Sequence, residues 1–411
     1  MSHPDPPDLD AALLELDVGP VAHGGHFLSR VDDGRVVFVR HALPGERVRV
    51  RITEQRRGYL RADAVEVLTA SPDRVTPPCG WAGPDRCGGC DFQHVTPAAQ
   101  RELKAAAVAE QLVRLGGLSD DEVARLGVRV EAPPPVAGEP DGLGWRTRVR
   151  YTVDAADRAG LLKHRSHEVV PVDRCLIAHP SVRGAPVLER AWPDVDGVEV
   201  VASAAGEATV LGHRAGQRPT VVSGPSAVTE RAVGREWTVP ADVFWQVHPA
   251  AADTLAAAVL TALDPRAGER AWDLYGGAGL FAAALAPRLV PGGGVTLVEG
   301  DARAAGAAKR SGPGVTVVRS DVARALPRLP APDIVVLDPP RSGAGRRVVA
   351  AMIDRRPRAV AYVACDPAAL ARDVRTFREA GWRLAGLSGY DLFPMTHHVE
   401  CVARLVPPPA A

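Results

Sequence analysis

Three stretches of this 411-residue chain hold residue types that could do covalent or ligand chemistry. Cys365-Asp366-Pro367 follows the apolar run Ala359 to Ala364, so the thiol falls where an expected strand hands over to an expected helix. Asp366 is the natural cap of that helix and Pro367 its first residue, and the helix dipole favours a thiolate, the nucleophilic form of cysteine. Taken alone, such a cysteine is more often a buried structural residue. Asp338-Pro339-Pro340-Arg341 follows the apolar run Ile334 to Leu337 in the same manner. Asp273-Leu274-Tyr275 runs into Gly276-Gly277-Ala278-Gly279, a strand entering a helix through glycines whose amides would face a polar ligand. Gly277, Gly279 and Ala282 also fit the G-x-G-x-x-A spacing, so the loop alone does not separate NAD from S-adenosylmethionine. Glu299, 20 residues beyond Gly279, is set to accept hydrogen bonds from ribose hydroxyls in either case.

A second thiol group lies upstream: Cys79, then Cys87-Gly88-Gly89-Cys90, with Cys175 far along the chain. Cys-x-x-Cys with two further thiolates suits zinc as well as an iron-sulfur cluster, and spacing alone favours zinc. Cys401 alternates with Val399 and Ala403 and reads as core.

The elements that must position these residues follow from composition and pattern. Lys+Arg 49 balance Asp+Glu 49, with 46% hydrophobic and 24% charged residues, the profile of a soluble chain of two or three domains. No apolar run approaches the roughly 18 residues of a membrane span. The first twenty residues carry Asp5, Asp8, Asp10, Glu15 and Asp17 without Lys or Arg, the reverse of a signal peptide, which predicts a cytoplasmic protein. Zero net charge argues against indiscriminate nucleic-acid binding and leaves room for a local basic surface. Residues 1–8 read as a disordered Pro and Asp tail. In residues 9–70, Val48, Val50 and Ile52 alternate with Arg47, Arg49 and Arg51, a half-buried strand of a small OB-type barrel. Its arginine face is either an RNA platform or a solvated polar surface. Residues 71–243 form a β-rich central domain around the cysteines, with an amphipathic helix over 97–117, a Pro and Gly loop over 132–144 and a strand over 145–153. From 244 to 411 strands and helices alternate, the signature of a doubly wound parallel sheet. Strands ending at Tyr275, Glu299, Val318, Leu337 and Ala364, then 383–387 and 398–406, place Glu299, Asp338 and Cys365 along one crevice outside the strand ends.

The ordered motifs Asp273-Leu-Tyr-Gly-Gly-Ala-Gly, Asp338-Pro-Pro-Arg, Tyr362-Val-Ala-Cys365-Asp-Pro and His397-His-Val-Glu400 resemble the RNA (uracil-5-)-methyltransferase family over nearly the whole chain. The resemblance is greatest to the 23S ribosomal RNA branch, since the transfer RNA branch usually lacks both the barrel and the four cysteines. It implies an N-terminal TRAM barrel, a central iron-sulfur domain and a Rossmann-like class I methyltransferase domain, on which helix 97–117 could dock. It implies S-adenosylmethionine as methyl donor, RNA as partner and a monomeric enzyme. By the same resemblance Cys365 is the nucleophile that adds to uracil carbon 6 and Glu400 the base that removes the carbon 5 proton. Gln246, Tyr275, Glu299, Asp321 and Asp338 would contact the cofactor, and Cys79, Cys87, Cys90 and Cys175 would hold a [4Fe-4S] cluster, with zinc the lesser alternative. This chain departs from the family pattern in having Asp366 for Asn, Gly276 for Cys and His248 for Asn. An uncapped, unpaired Asp366 should raise the thiol pKa. Competing readings are an amino-group methyltransferase, an NAD enzyme and a non-catalytic RNA-binding iron-sulfur protein that retains the fold.

Overall fold

The computed structural model describes residues 13–310 and 312–409, so the expected tail at residues 1–8 lies outside the described residues. Among the described residues the chain opens with β1 (Leu14–Asp17), β2 (Val21–Ala22), β3 (His26–Arg30), β4 (Val36–Arg40), β5 (Arg47–Gln55) and β6 (Tyr59–Thr69). They form one sheet in the order β1-β5-β6-β4-β3-β2. Val48, Val50 and Ile52 of β5 are buried and the arginines between them face outward, as the alternation predicts. That outer face is not a field of free positive charge. Arg47 lies 3.3 Å from Glu15, Arg49 pairs with Glu15 and Glu66, Arg51 with Asp85, and Arg56 and Arg61 with Glu54. Exposed pairs of this kind add little stability, but they neutralise the surface.

The barrel core continues into Phe92, Val95 and Ala99, so it is closed by the segment that follows. Helix α1 (Pro97–Arg114) is capped by Thr96, starts at a proline and stops short of the expected end, leaving Leu115, Gly116 and Gly117 beyond it. Helix α2 (Asp120–Leu126) begins with a reciprocal Ser119–Glu122 capping box and ends at Gly127 with φ 59°. Next comes β7 (Val130–Glu131). The central sheet contains β8 (Arg148–Val153), β9 (Ala159–Leu162), β10 (Val169–Val170), β11 (Gly197–Ala202), β12 (Ala208–His213) and β13 (Thr220–Ser223), ordered β10-β9-β8-β11-β12-β13. Short helix α3 (Pro180–Arg183) and the hairpin β14 (Ala227–Ala232) and β15 (Arg235–Pro240) complete this region. The strand expected from 145 begins only at 148, because Trp145 turns inward against Leu143, Ile177 and Met395 and stacks on His248 at 6.1 Å.

The last part alternates α4 (Ala251–Leu263), β16 (Arg270–Leu274), α5 (Leu280–Leu289), β17 (Gly294–Glu299), α6 (Ala302–Ala308), β18 (Val315–Arg319), α7 (Val322–Ala325) and β19 (Ile334–Leu337). It continues with α8 (Gly345–Arg355), β20 (Ala359–Ala364), α9 (Pro367–Glu379), β21 (Arg383–Tyr390) and β22 (Glu400–Val406). The sheet order is β18-β17-β16-β19-β20-β22-β21-β7, parallel from β18 to β20, with β22 running back. Every residue of β19 and β20 is buried, because helices cover both faces of the sheet and leave no polar side for alternation. Two apolar layers result, one around Trp272, Tyr362, Leu370 and Phe377, the other around Leu255, Phe281, Leu285 and Val363. Each such buried side chain contributes roughly 1.5–3 kcal/mol. The edge strand β7 was not expected: two residues from the central region pair in parallel with β21, and α1 packs on α9 beside it. No helix among the described residues is long and apolar enough to cross a membrane.

Candidate active site

Strand register sets the candidate residues along one rim. Leu274 pairs with Val298 and with Leu337, Leu337 with Tyr362, and Ala364 with Cys401. One step beyond those pairs, Tyr275 lies between Glu299 and Asp338, and Cys365 faces Glu400 across the ends of β20 and β22. Asp321 follows β18 on the outer side, exposed, and caps α7 by accepting from Arg324 N at 3.1 Å. The order of strands reverses between β16 and β19, the position where open α/β sheets bind ligands. Gln246 lies in the loop before α4. It is half-buried, and its neighbour Val247 is held by Thr147, whose N and Oγ1 donate to the Val247 carbonyl at 2.8 and 3.0 Å.

The glycine loop after β16 turns sharply, with Tyr275, Gly277 and Gly279 at φ 61°, 53° and 93°. Tyr275 is a non-glycine residue in the left-handed region, where strain collects at functional sites. Glu299 steadies the loop by accepting from Gly277 N at 2.9 Å. Asp273, absent from the predicted site residues, is fully buried and accepts from Ala282 N at 2.8 Å, tying strand β16 to helix α5. Burial pushes its pKa up to about 8, and the charges of Asp338 and Glu299 add to the effect. Its signal in the sequence was a lone carboxylate inside an apolar strand.

At the other end of the rim, burial raises Asp338 to about 7. Glu400, only 4% exposed, is held well above the usual carboxylate range by burial and then by the Asp338 charge, with Arg341 opposing. The two buried carboxyl groups each disfavour the other's ionisation and therefore titrate as a coupled pair. Burial also pushes the Cys365 thiol up to about 11, with Glu400 and then Asp338 adding and Arg341 opposing. Burial thus favours the neutral thiol, and the Glu400 and Asp338 carboxyl groups lie near enough to bear on its charge. Asp366 is engaged through both oxygens: Oδ1 caps α9 by accepting from Ala369 N at 2.7 Å, and Oδ2 lies 3.4 Å from Nε2 of His23, whose pKa burial lowers. The carboxylates that press on the thiol are thus Glu400 and Asp338, not its sequence neighbour. His23 belongs to the turn after β2, so the barrel forms one wall of the cleft that also exposes Cys365, His397 and His398.

The four remaining candidates, Cys79, Cys87, Cys90 and Cys175, line one cavity together with Arg146, Arg150 and Arg174. Gly89 N donates to Cys87 Sγ at 3.4 Å and Gln93 Nε2 to Cys90 Sγ at 3.5 Å. Burial raises the Cys87 thiol to about 11, the proximity of Cys175 and Cys79 adding to it. Among the described residues no three His, Cys, Asp or Glu side chains are gathered closely enough to hold a single metal ion.

Comparison with known proteins matches residues 13–65 to the TRAM domain and residues 330–406 to the tRNA (Uracil-5-)-methyltransferase family. An uncharacterized RNA methyltransferase of Streptomyces avermitilis is 48% identical, over 96% of this chain and 98% of its own. A 23S rRNA (uracil(1939)-C(5))-methyltransferase, RlmD, of Chromohalobacter salexigens is 34% identical, over 96% of this chain and 90% of its own. The crystal structure of the Pyrococcus abyssi tRNA (uracil-54, C5)-methyltransferase in complex with S-adenosyl-L-homocysteine superposes with a TM-score of 0.69 at 21% identity. It covers 95% of this chain and 99% of that one, and shows a shared fold. With an N-terminal TRAM domain and relatives matched across almost its full length, the chain belongs to the S-adenosylmethionine-dependent RNA (uracil-5-)-methyltransferase family.

Proposed function

We propose that the protein methylates carbon 5 of a uridine in 23S ribosomal RNA through a covalent adduct on Cys365. The supporting observation is the facing of Cys365 and Glu400 beside Asp338 at the ends of β20, β22 and β19. In this reading the thiol passes its proton to the Asp338–Glu400 pair as Sγ bonds to carbon 6, and the carbon 5–carbon 6 π electrons move toward the uracil carbonyl. Carbon 5 then takes the methyl group of S-adenosylmethionine as the methyl–sulfur bond breaks, leaving S-adenosylhomocysteine. One carboxyl of the pair gives up a proton to solvent and, as the carboxylate, removes the carbon 5 proton while the carbon 6–Sγ bond breaks; the released thiolate then takes a proton back from the pair. Tyr275, Glu299, Asp321, Gln246 and Asp338 hold the methyl donor, with Glu299 keeping the loop open through Gly277. A stacked uridine must be unstacked to reach the cleft.

Cys79, Cys87, Cys90 and Cys175 hold a [4Fe-4S] cluster in this reading. Four thiols on one cavity, two of them accepting N–H bonds and three arginines nearby to offset charge, suit that group. The cluster would cross-link the loop of residues 79–90 to the segment around Cys175. The enzyme acts as a cytoplasmic monomer.

The ribosomal target is taken from the 34% identical relative, which carries a 23S rRNA name; the 21% identical structure carries a tRNA name. The deciding experiment incubates the protein and S-adenosylmethionine with unmodified 23S and transfer RNA transcripts separately, then measures 5-methyluridine by mass spectrometry. 5-Methyluridine in the 23S transcript alone is the expected result. Its appearance in transfer RNA alone would overturn the target, and its absence from both would overturn the reaction.

A further inference from the structure

The segment that delivers Glu400, residues 391–399, packs Leu392 and Val399 into the core of the sheet it serves but takes its hydrogen bonds elsewhere. Among the described residues, every hydrogen bond leaving it goes to residues 91–131. Asp91 accepts from His397 N at 3.1 Å and contacts His397 Nδ1 at 2.6 Å, while Asp91 N and Phe92 N both donate to the Met395 carbonyl at 3.0 Å. Gln100 accepts from Met395 N at 2.8 Å and donates to Met395 Sδ at 3.2 Å. Lys104 pairs with Asp391 and donates to the Phe393 carbonyl at 3.1 Å. Asp391 N donates to the Glu131 carbonyl at 2.8 Å.

Gln100 and Lys104 sit one turn apart on α1, on one face, and both are fully buried. Burying an amide and an ammonium is tolerable only where partners await them: Lys104 finds both of its partners in this strap of residues 391–399, and Gln100 divides its bonds between Met395 of the strap and the Phe92 and Val95 carbonyls. Met395 adopts φ 66°, a left-handed conformation for a long side chain that its surroundings must impose. Gly25 of the barrel closes over the same place: a Cβ there would lie 2.9 Å from His397 Cβ and 3.0 Å from Asp91 Cβ. Asp91 is the residue after Cys90, so the cysteine loop runs directly into the groups that grip the strap.

We infer that the cysteine lobe and α1 position the base: Asp91, Gln100 and Lys104 hold residues 391–399, and through them the Glu400 carboxylate at the cleft. This rests on the reading of Glu400 as the base. None of the three touches the reacting atoms, so they are positioning residues. Their loss should slow the step that Glu400 performs and spare the binding of the methyl donor, whose loop is anchored elsewhere by Glu299 and Asp273.

The test compares Asp91→Asn and Gln100→Leu with Glu400→Gln and the parent, using a 23S RNA transcript as probe. Hydrogen exchange of residues 391–400 should rise about tenfold or more in both positioning variants, with residues 275–282 unchanged. The rate constant kcat should fall about tenfold with KM for S-adenosylmethionine within about twofold, and the RNA–protein adduct should accumulate as in Glu400→Gln. Faster exchange with adduct released at the parent rate overturns the proposal, as does unchanged exchange. For variants that do not fold, native-state exchange of the parent in mild urea decides: amides 391–400 should open together with 91–104, and opening with β20 and β22 instead overturns it. If Glu400→Gln itself releases product at the parent rate, the base reading fails, while the exchange results still decide what holds the strap.

Discussion

The two ends of the proposed catalytic rim are built from contacts of different reach. On the cofactor side, Glu299 grips Gly277 and Asp273 grips Ala282 across 22 and 9 residues of sequence. On the nucleophile side, Asp391, Met395 and His397 are held by Lys104, Gln100 and Asp91 across 287, 295 and 306 residues. The first site is a local property of one βαβ unit, and any sheet of this type can carry it. The second exists only when the barrel, the cysteine lobe and the sheet have assembled, so the base-bearing side of the rim depends on the whole chain. Binding of the methyl donor and covalent chemistry should therefore be separable by mutation.

The strongest way to break that separation is at the nucleophile. Cys365→Ala is expected to lower methylation by about 10⁴-fold or more, the scale on which covalent catalysis is lost, while S-adenosylmethionine still binds. Calorimetric titration with S-adenosylmethionine beside a methylation assay checks both halves; retained methylation would remove Cys365 from the mechanism. Glu400→Gln comes next, at about 10²–10⁴-fold in kcat, the usual worth of a positioned general base. Denaturing gels should show an RNA–protein adduct that persists, because the thiol can add but is slowly eliminated.

Asp273 probes the other side through stability. Its folded-state pKa of about 8 lies above the ~3.9 of an unfolded aspartate, so the folded chain holds this proton more tightly. Stability from the protonated form is complete below pH ~4 and is lost as pH rises toward about 8. Asp273→Asn keeps an acceptor for Ala282 N and removes the titration. Its melting temperature should gain on the parent's steadily from pH ~4 to ~8, by several degrees at the upper end, since ~1 kcal/mol moves a domain of this size by roughly 2–4 °C. A constant difference across that range would show that Asp273 does not titrate there.

What could be read from the sequence follows the same division. The ends of β19 and β20 were visible because buried parallel strands are unbroken apolar runs, here stopping at Asp338 and Cys365, and those of β16 and β17 because Gly276 and Gly300 follow closely. The barrel strand β5 was visible through its period of two. Gln100 and Lys104, by contrast, look like the polar side of an amphipathic helix, and nothing within a few residues of them reveals a buried partner nearly 300 positions away. Strand β7, two residues long, is too short to show a period. The arginines of β5 were read correctly as outward-facing, but their acidic partners come from β1, β6 and the 85 region, which a single strand's pattern does not display.

The smallest expected effect is at Asp366, where proximity in sequence misleads about proximity of charge. A carboxylate next to a nucleophilic thiol should oppose its ionisation, and on the sequence alone Asp366→Asn ought to speed the reaction. Here one oxygen is engaged by Ala369 N at the start of α9 and the other faces His23, so the carboxylate points into the helix start and the barrel wall. The thiol answers instead to Glu400 and Asp338, which lie on other strands. Asp366→Asn should therefore change kcat by less than about threefold. It should cost about 0.5–1 kcal/mol or less in stability, because asparagine caps a helix nearly as well as aspartate. A rate increase of tenfold or more, measured with the same RNA transcript at fixed pH, would return Asp366 to the set of charges that govern Cys365 and would weaken the claim that the nucleophile side is tuned by long-range contacts.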